Sequence, residues 1–118
     1  MKTFSMNKMQ RWEIWLANVW LKDRYEIPKE RPVLVVSSEV DSTGYIVCFL
    51  ITSKRKWSEK DYSIQNWKEL GLTKESTILI SLGCFGIRPE DFTGKVNKLL
   101  PHNISEMKEL LRFRPYKV

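Results

Sequence analysis

The sequence predicts an α+β chain built on a small curved sheet or barrel and closed by a C-terminal helix. Three observations carry this. Short runs rich in β-branched and aromatic residues recur between turn signals. Two of them, Val33-Leu34-Val35-Val36 and Tyr45–Ile51, are apolar on both faces and need cover on each side, from a closed barrel, a packed helix or a partner subunit. At the end of the chain, Ile104, Met107, Leu110 and Leu111 fall on one helical face and leave Glu106, Lys108 and Glu109 to solvent.

The elements follow in order. Trp12–Trp20 is aromatic, β-branched or small with few polar interruptions and reads as a strand. Lys22–Glu30 is charged and carries Pro28 ahead of Pro32, which predicts a loop. Val33–Val36 is the next strand, Glu39–Gly44 a turn and Tyr45–Ile51 a second buried strand. Thr52–Lys60 reads as a basic loop, and Asp61–Ile64 as a short alternating strand. Gln65–Leu70 reads as one or two helical turns ended by Gly71. Ser76–Leu82 is a further β-rich run, and Ile87–Phe92 a turn with a short helical start at Pro89. Gly94–Leu100 is the last strand. Asn103 with Glu106 three residues on resembles a capping box and predicts the start of the terminal helix there, with His102 in the loop before it.

The 118 residues are one domain's worth, 1–118, without internal repeats. Hydrophobic and aromatic contents of 42% and 12% support a packed core rather than disorder. The longest apolar run, Ile46–Ile51, is far short of the roughly 20 residues of a membrane span. Met1–Gln10 has no apolar secretory core, so a soluble cytoplasmic protein is expected. Cys48 and Cys84 sit in apolar stretches and read as small core residues. Lys and Arg number 20 against 14 Asp and Glu, a net charge of +6 that favours nucleic acid, an acidic protein or anionic lipid without choosing among them.

A single histidine, His102, excludes a two-histidine acid–base pair within one chain, and Cys48, Cys84 and His102 lack the tight spacing of a zinc site, so no metal or cofactor is expected. Two features remain. Arg31 stands directly before a buried strand, where its donor fork can meet a phosphate, and Thr52-Ser53 stands directly after one, where two hydroxyls can hold a phosphate oxygen. Both also read as ordinary residues flanking strands. Lys54-Arg55-Lys56-Trp57 combines positive charge with a large ring, the pairing that binds single-stranded nucleic acid, and Tyr25 beside Lys22 and Arg24 repeats it. A solvated loop is the alternative for each.

The order Glu13-Ile14-Trp15-Leu16-Ala17, Arg31-Pro32-Val33-Leu34-Val35-Val36, Ile51-Thr52-Ser53 resembles the first strands of the PemK/MazF family of toxin–antitoxin ribonucleases. Asp61-Tyr62-Ser63-Ile64 with Trp67, then Gly71–Thr77, are similar to its middle segment, and Gly94–Leu99 with the closing helix to its end. The similarity runs from about Arg11 to Phe113. It implies an SH3-like, partly open barrel in a symmetric homodimer. It also implies cleavage of single-stranded RNA, without a metal, by 2′-hydroxyl attack that leaves a 2′,3′-cyclic phosphate and a 5′-hydroxyl. An acidic antitoxin would cover the RNA groove. By position, Arg31 would meet the scissile phosphate, Thr52 would bond the same phosphate and Ser53 would assist. Lys22, Arg24, Tyr25, Glu26 and Lys54, Arg55, Lys56, Trp57 would bind RNA.

The sequence departs from the family in two places. The loop before Arg31 usually carries a Gly-Ser/His-Glu-Gln-like element, where Arg24-Tyr25-Glu26-Ile27 stands here, with Glu26 as the candidate carboxylate. Some members place Arg and Asp in the strand where Leu79 and Ser81 stand. Two rival readings stand beside this one: a binding module without chemistry, which the missing Arg and Asp would explain, and a barrel of the same fold that poisons a protein target such as DNA gyrase, as in the related CcdB family.

Overall fold

The computed structural model describes residues 9–21, 24–37, 44–53 and 58–112, with 20–21 and 24–28 described as backbone. Lys22, Lys54, Arg55, Lys56 and Trp57, and most of the turn expected over Glu39–Gly44, lie outside them. Arg24, Tyr25 and Glu26 are described as backbone only.

Seven strands, one α-helix and a short 3-10 helix at Pro89–Asp91, where a helical start was expected, are found among the described residues: β1 (Glu13–Leu21), β2 (Arg24–Val35), β3 (Ile46–Thr52), β4 (Tyr62–Ile64), β5 (Ser76–Ile78), β6 (Phe85–Ile87), β7 (Phe92–Lys98) and α1 (Pro101–Arg112). They form one antiparallel sheet ordered β4-β5-β3-β2-β1-β7, with β6 also pairing with β3. The sheet is open rather than a closed barrel, as the expected partly open fold requires.

Both-sided apolarity is satisfied within the chain. On one face, Ile14, Leu34, Phe49, Ile51 and Ile78 pack under Met107 of α1 and Leu70 of the segment before β5. On the other, Trp15, Ala17, Val33, Val35, Cys48 and Leu50 are covered by Met9, Leu79, Phe85, Ile87 and Phe92, as the sheet curls over itself. Trp15 meets Phe92 edge-on, with ring centroids 5.9 Å apart. Glu13 is buried at the start of β1. Its Oε1 accepts from the Gln10 N–H (2.9 Å) and the Trp15 indole (2.8 Å), and its Oε2 pairs with Lys95 Nζ at 3.0 Å. Trp12, just before it, holds a left-handed φ of 74° that a bulky residue rarely adopts. Hydrogen bonds from its N–H to the Val35 carbonyl (2.8 Å) and from the Leu99 N–H to its carbonyl (2.9 Å) lock it there.

Several expectations are corrected. The segment expected as a charged loop over Lys22–Glu30 is, from Arg24 on, the first half of β2. Arg24 and Lys29–Pro32 pair with β1 and not with β3, because the β2–β3 ladder starts at Val33. A strand with one free edge tolerates prolines and polar residues, which hid it in the sequence. The run over Ser76–Leu82 is a strand only to Ile78, and Gly83 closes a turn onto Ile80 (N–H to carbonyl, 3.0 Å). β6 was not expected, and Cys84 beside it is exposed rather than core. Segment 65–71 forms turns ended by Gly71 at φ 86°. The last strand begins at Phe92, two residues early.

The helix begins at Pro101, so Asn103 lies in its first turn instead of capping it, and His102 is on the helix, exposed. Asn103 still serves the helix end. Its Oδ1 accepts the Leu100 N–H at 3.1 Å, and its Nδ2 donates to Tyr62 Oη (2.9 Å) and Asn66 Oδ1 (2.9 Å). Glu106 accepts from the Tyr62 hydroxyl rather than closing a capping box.

Candidate functional site

The site originates where two ladders part. β2 and β3 pair at Val35↔Cys48, Leu34↔Phe49 and Val33↔Leu50. Continued, that register would set Arg31 opposite Thr52. Instead the ladder stops, and β3 turns to β5, pairing Ile51↔Ile78 and Thr52↔Thr77. The sheet splits there, and a groove of about 390 Å³ opens between the diverging strands. Arg31 lines it from β2, Thr52 from the end of β3 and Ser53 just after it, Thr73 and Lys74 from the segment leading into β5, and Ser76 from the first position of β5. Arg31 and Thr52-Ser53, separated by twenty residues, therefore share one groove.

Arg31 is fixed by its backbone pairing with Ala17, a fully buried small residue of β1. The side chain is half-buried, and its Nε is buried with no hydrogen-bond partner among the described residues. An unsatisfied buried donor costs about 1–3 kcal/mol, more when charged, so native structures rarely keep one without a use. A tetrahedral oxyanion in the groove would give the Arg31 guanidinium an acceptor. Thr52 is half-buried and Ser53 exposed, so the hydroxyls border the groove at two depths.

The electrostatics are set by exposed Lys29 and Lys74 beside Arg31. Glu30 lines the groove too, but its Oε2 accepts from Thr93 Oγ1 of β7 at 2.6 Å. Since β1 lies between β2 and β7, that bond draws the carboxylate away from β3 and from Thr52.

The positions where the resemblance would look for an acid or base are accounted for. Leu79 is fully buried, and its N–H donates to the Leu50 carbonyl at 2.9 Å. Ser81 is exposed, with its N–H held at 2.7 Å by Oδ1 of the buried Asp61. Neither position carries a titratable side chain. His102 is not among the groove residues. Cys48 is buried, and desolvation pushes its thiol well above the usual range, which makes it inert packing. Lys74, Thr73 and Ser76 were not singled out as site residues from the sequence. Their segment was noted only for its likeness to a family, and what brings them to the groove is the switch of β3 from β2 to β5, which no local pattern announces.

Comparison with known proteins follows the same lines. A family model described as PemK-like, MazF-like toxin of type II toxin-antitoxin system matches residues 10–113. Among solved structures, the chain is similar to the Mycobacterium tuberculosis toxin MazF-mt6, with 19% identity and a TM-score of 0.60 over 82% of this chain and 91% of that one. It is similar to the MazE-MazF structure from Deinococcus radiodurans, with 15% identity and a TM-score of 0.62 over 89% and 96%. At these identities the likeness is one of fold. No curated protein matches by sequence.

Proposed function

Because the chain belongs to the PemK-like, MazF-like toxins of type II toxin–antitoxin systems, we propose that it acts as an endoribonuclease on single-stranded RNA, with the scissile phosphate in the groove between Arg31 and Thr52. The observation that carries this reading is one groove lined both by Arg31, whose Nε is buried without a partner among the described residues, and by the hydroxyl residues Thr52 and Ser53. That donor set suits a phosphodiester.

In the reaction, the 2′-oxygen bonds to phosphorus and loses its proton, while the bond from phosphorus to the 5′-oxygen breaks and that oxygen gains a proton. The products are a 2′,3′-cyclic phosphate and a 5′-hydroxyl. Negative charge grows on the non-bridging oxygens as phosphorus becomes five-coordinate. Arg31, held by its pairing with Ala17, donates to those oxygens when the charge is largest, and Thr52 holds a phosphate oxygen with Ser53 at the rim. Charge stabilisation and alignment are worth most in a site that is already organised. Lys29 and Lys74 attract the backbone. The resemblance further implies that the protein works as a homodimer, needs no metal, acts in the cytoplasm and is silenced by an acidic antitoxin occupying the groove.

Incubation of the purified protein with mixed-sequence RNA in EDTA, followed by mapping of the ends, tests this. Cyclic-phosphate ends that vanish with Arg31→Ala are expected. Intact RNA with tight binding would leave a binding module instead, and growth arrest with neither binding nor cleavage would point to a protein target.

A further inference from the structure

Resting on the reading of the groove as an RNA site, we propose that Lys29 holds a second phosphate of the same strand, the neighbour of the one at Arg31, so that the RNA backbone follows β2. Both residues line the groove. Their relation is set by the register. β1 and β2 pair without interruption from Ile14↔Leu34 to Val19↔Lys29, with Ala17 opposite Arg31 and Asn18 opposite Glu30. Side chains alternate between the faces of a strand, and directly paired residues share a face. Ala17 and Val19 are buried in the same core as Val33 and Val35, whereas Leu34 belongs to the core on the other face. Lys29 and Arg31 therefore project from the face of Val33 and Val35, and Glu30 from the opposite one.

The residue between the two cations agrees with this. Glu30 Oε2 accepts from Thr93 Oγ1, and Thr93 follows Phe92, whose ring packs on the core that holds Ala17 and Val19. The acid is thus turned from the face on which Lys29 and Arg31 stand together. Two residues along a strand span about 6.8 Å, a repeat that suits neighbouring phosphates of an extended single strand. Arg31 is half-buried and Lys29 exposed, so the backbone meets Lys29 near solvent and descends to Arg31. The two groups divide the work by their chemistry. An ammonium is a mobile point charge that anchors a phosphate, and the planar fork of a guanidinium grips one in a fixed orientation. Each phosphate so neutralised releases counterions, which favours the bound strand.

The test uses a short RNA that contains once the sequence at which mixed RNA is cut. A neutral methylphosphonate replaces the phosphate on the 5′ or the 3′ side of the cut, beside a 2′-O-methyl sugar that keeps it stable, and the control carries the same sugar with an ordinary phosphate. Wild-type protein loses about two- to fivefold in kcat/KM when one of these two phosphates is neutralised. Lys29→Ala loses about the same factor on the control and is indifferent to that methylphosphonate, whereas Lys29→Arg, which keeps the charge, stays sensitive. Thermal melts confirm that the variants fold. A wild-type rate untouched by either methylphosphonate, or a sensitivity that survives Lys29→Ala, overturns the second phosphate site alone. Failure of wild type to cut the unmodified RNA overturns the RNA reading beneath it.

Discussion

Thr93 Oγ1 donates to Glu30 Oε2 at 2.6 Å across the width of β1, and sits 3.2 Å from the Leu16 carbonyl oxygen. The bond matters because Glu30 is next to Arg31 in the chain and lines the same groove. Tethered to β7, its carboxylate leaves the field of Lys29, Arg31 and Lys74 less neutralised.

Removing that charge outright should strengthen RNA binding. Exposed charge interactions are worth about 0.2–1 kcal/mol, so Glu30→Gln is expected to tighten an oligonucleotide by about two- to fivefold. Thr93→Val, which frees the carboxylate, should loosen it by about twofold. Titration by fluorescence anisotropy at one fixed salt concentration reads both, and weaker binding by Glu30→Gln would contradict the argument.

Arg31→Ala should lower kcat/KM for RNA cleavage by about 10²–10³, the usual effect of losing one preorganised charge donor. Its melting temperature should stay level or rise, since the mutation deletes a buried donor that has no partner. Arg31→Lys should not restore the rate, because an ammonium lacks the planar fork. A large loss of stability would reassign Arg31 to folding.

Increasing salt should weaken RNA binding along a straight line of log K against log salt, from counterions released by Lys and Arg contacts. Lys74→Ala should make that slope shallower by about one contact. A slope unchanged by Lys74→Ala would remove that residue from the interface.

Glu13 links stability to acid. Burial alone would raise its pKa, but the Gln10 N–H, the Trp15 indole and Lys95 outweigh that and hold it below the ordinary value of 4.5. The unfolded chain therefore binds the proton first. The stabilisation is complete above the unfolded value and is lost as pH falls through the folded one. Urea unfolding from pH 7 down to pH 3 should show Glu13→Gln less stable than wild type at neutral pH, with the gap narrowing below pH 4.5. A constant gap would show that the carboxylate's ionisation is not what matters.

Asn103→Ala should cost about 2–4 kcal/mol, because it leaves the Leu100 N–H, Tyr62 and Asn66 without a shared buried partner. For a domain of this size, that lowers the melting temperature by about 10–20 °C. A shift under a few degrees would mean that the network relaxes around the gap.

The β-branched runs at Val33–Val35 and Ile46–Ile51 were legible because strand and burial patterns are local and of period two. The apolar stripe Ile104, Met107, Leu110 was legible for the same reason at the helical period. Arg31 and Thr52-Ser53 could be picked out by residue type and by their places at strand ends. β6 escaped because three residues around a glycine carry no pattern, and the first half of β2 because a strand with a free edge is under no pressure to be apolar.

The sequence by itself determined the class of fold, the two-sided core and the residue types able to hold a phosphate, all of which depend on short-range periodicity and side-chain chemistry. Only the tertiary structure decided that β3 leaves β2 at Val33↔Leu50 and joins β5 at Ile51↔Ile78. That exchange of partners opens the groove, buries Arg31 Nε without an acceptor and brings Lys74 and Ser76 alongside. Pairing between distant strands is set by how the whole sheet curls around its two cores, which no window of sequence contains.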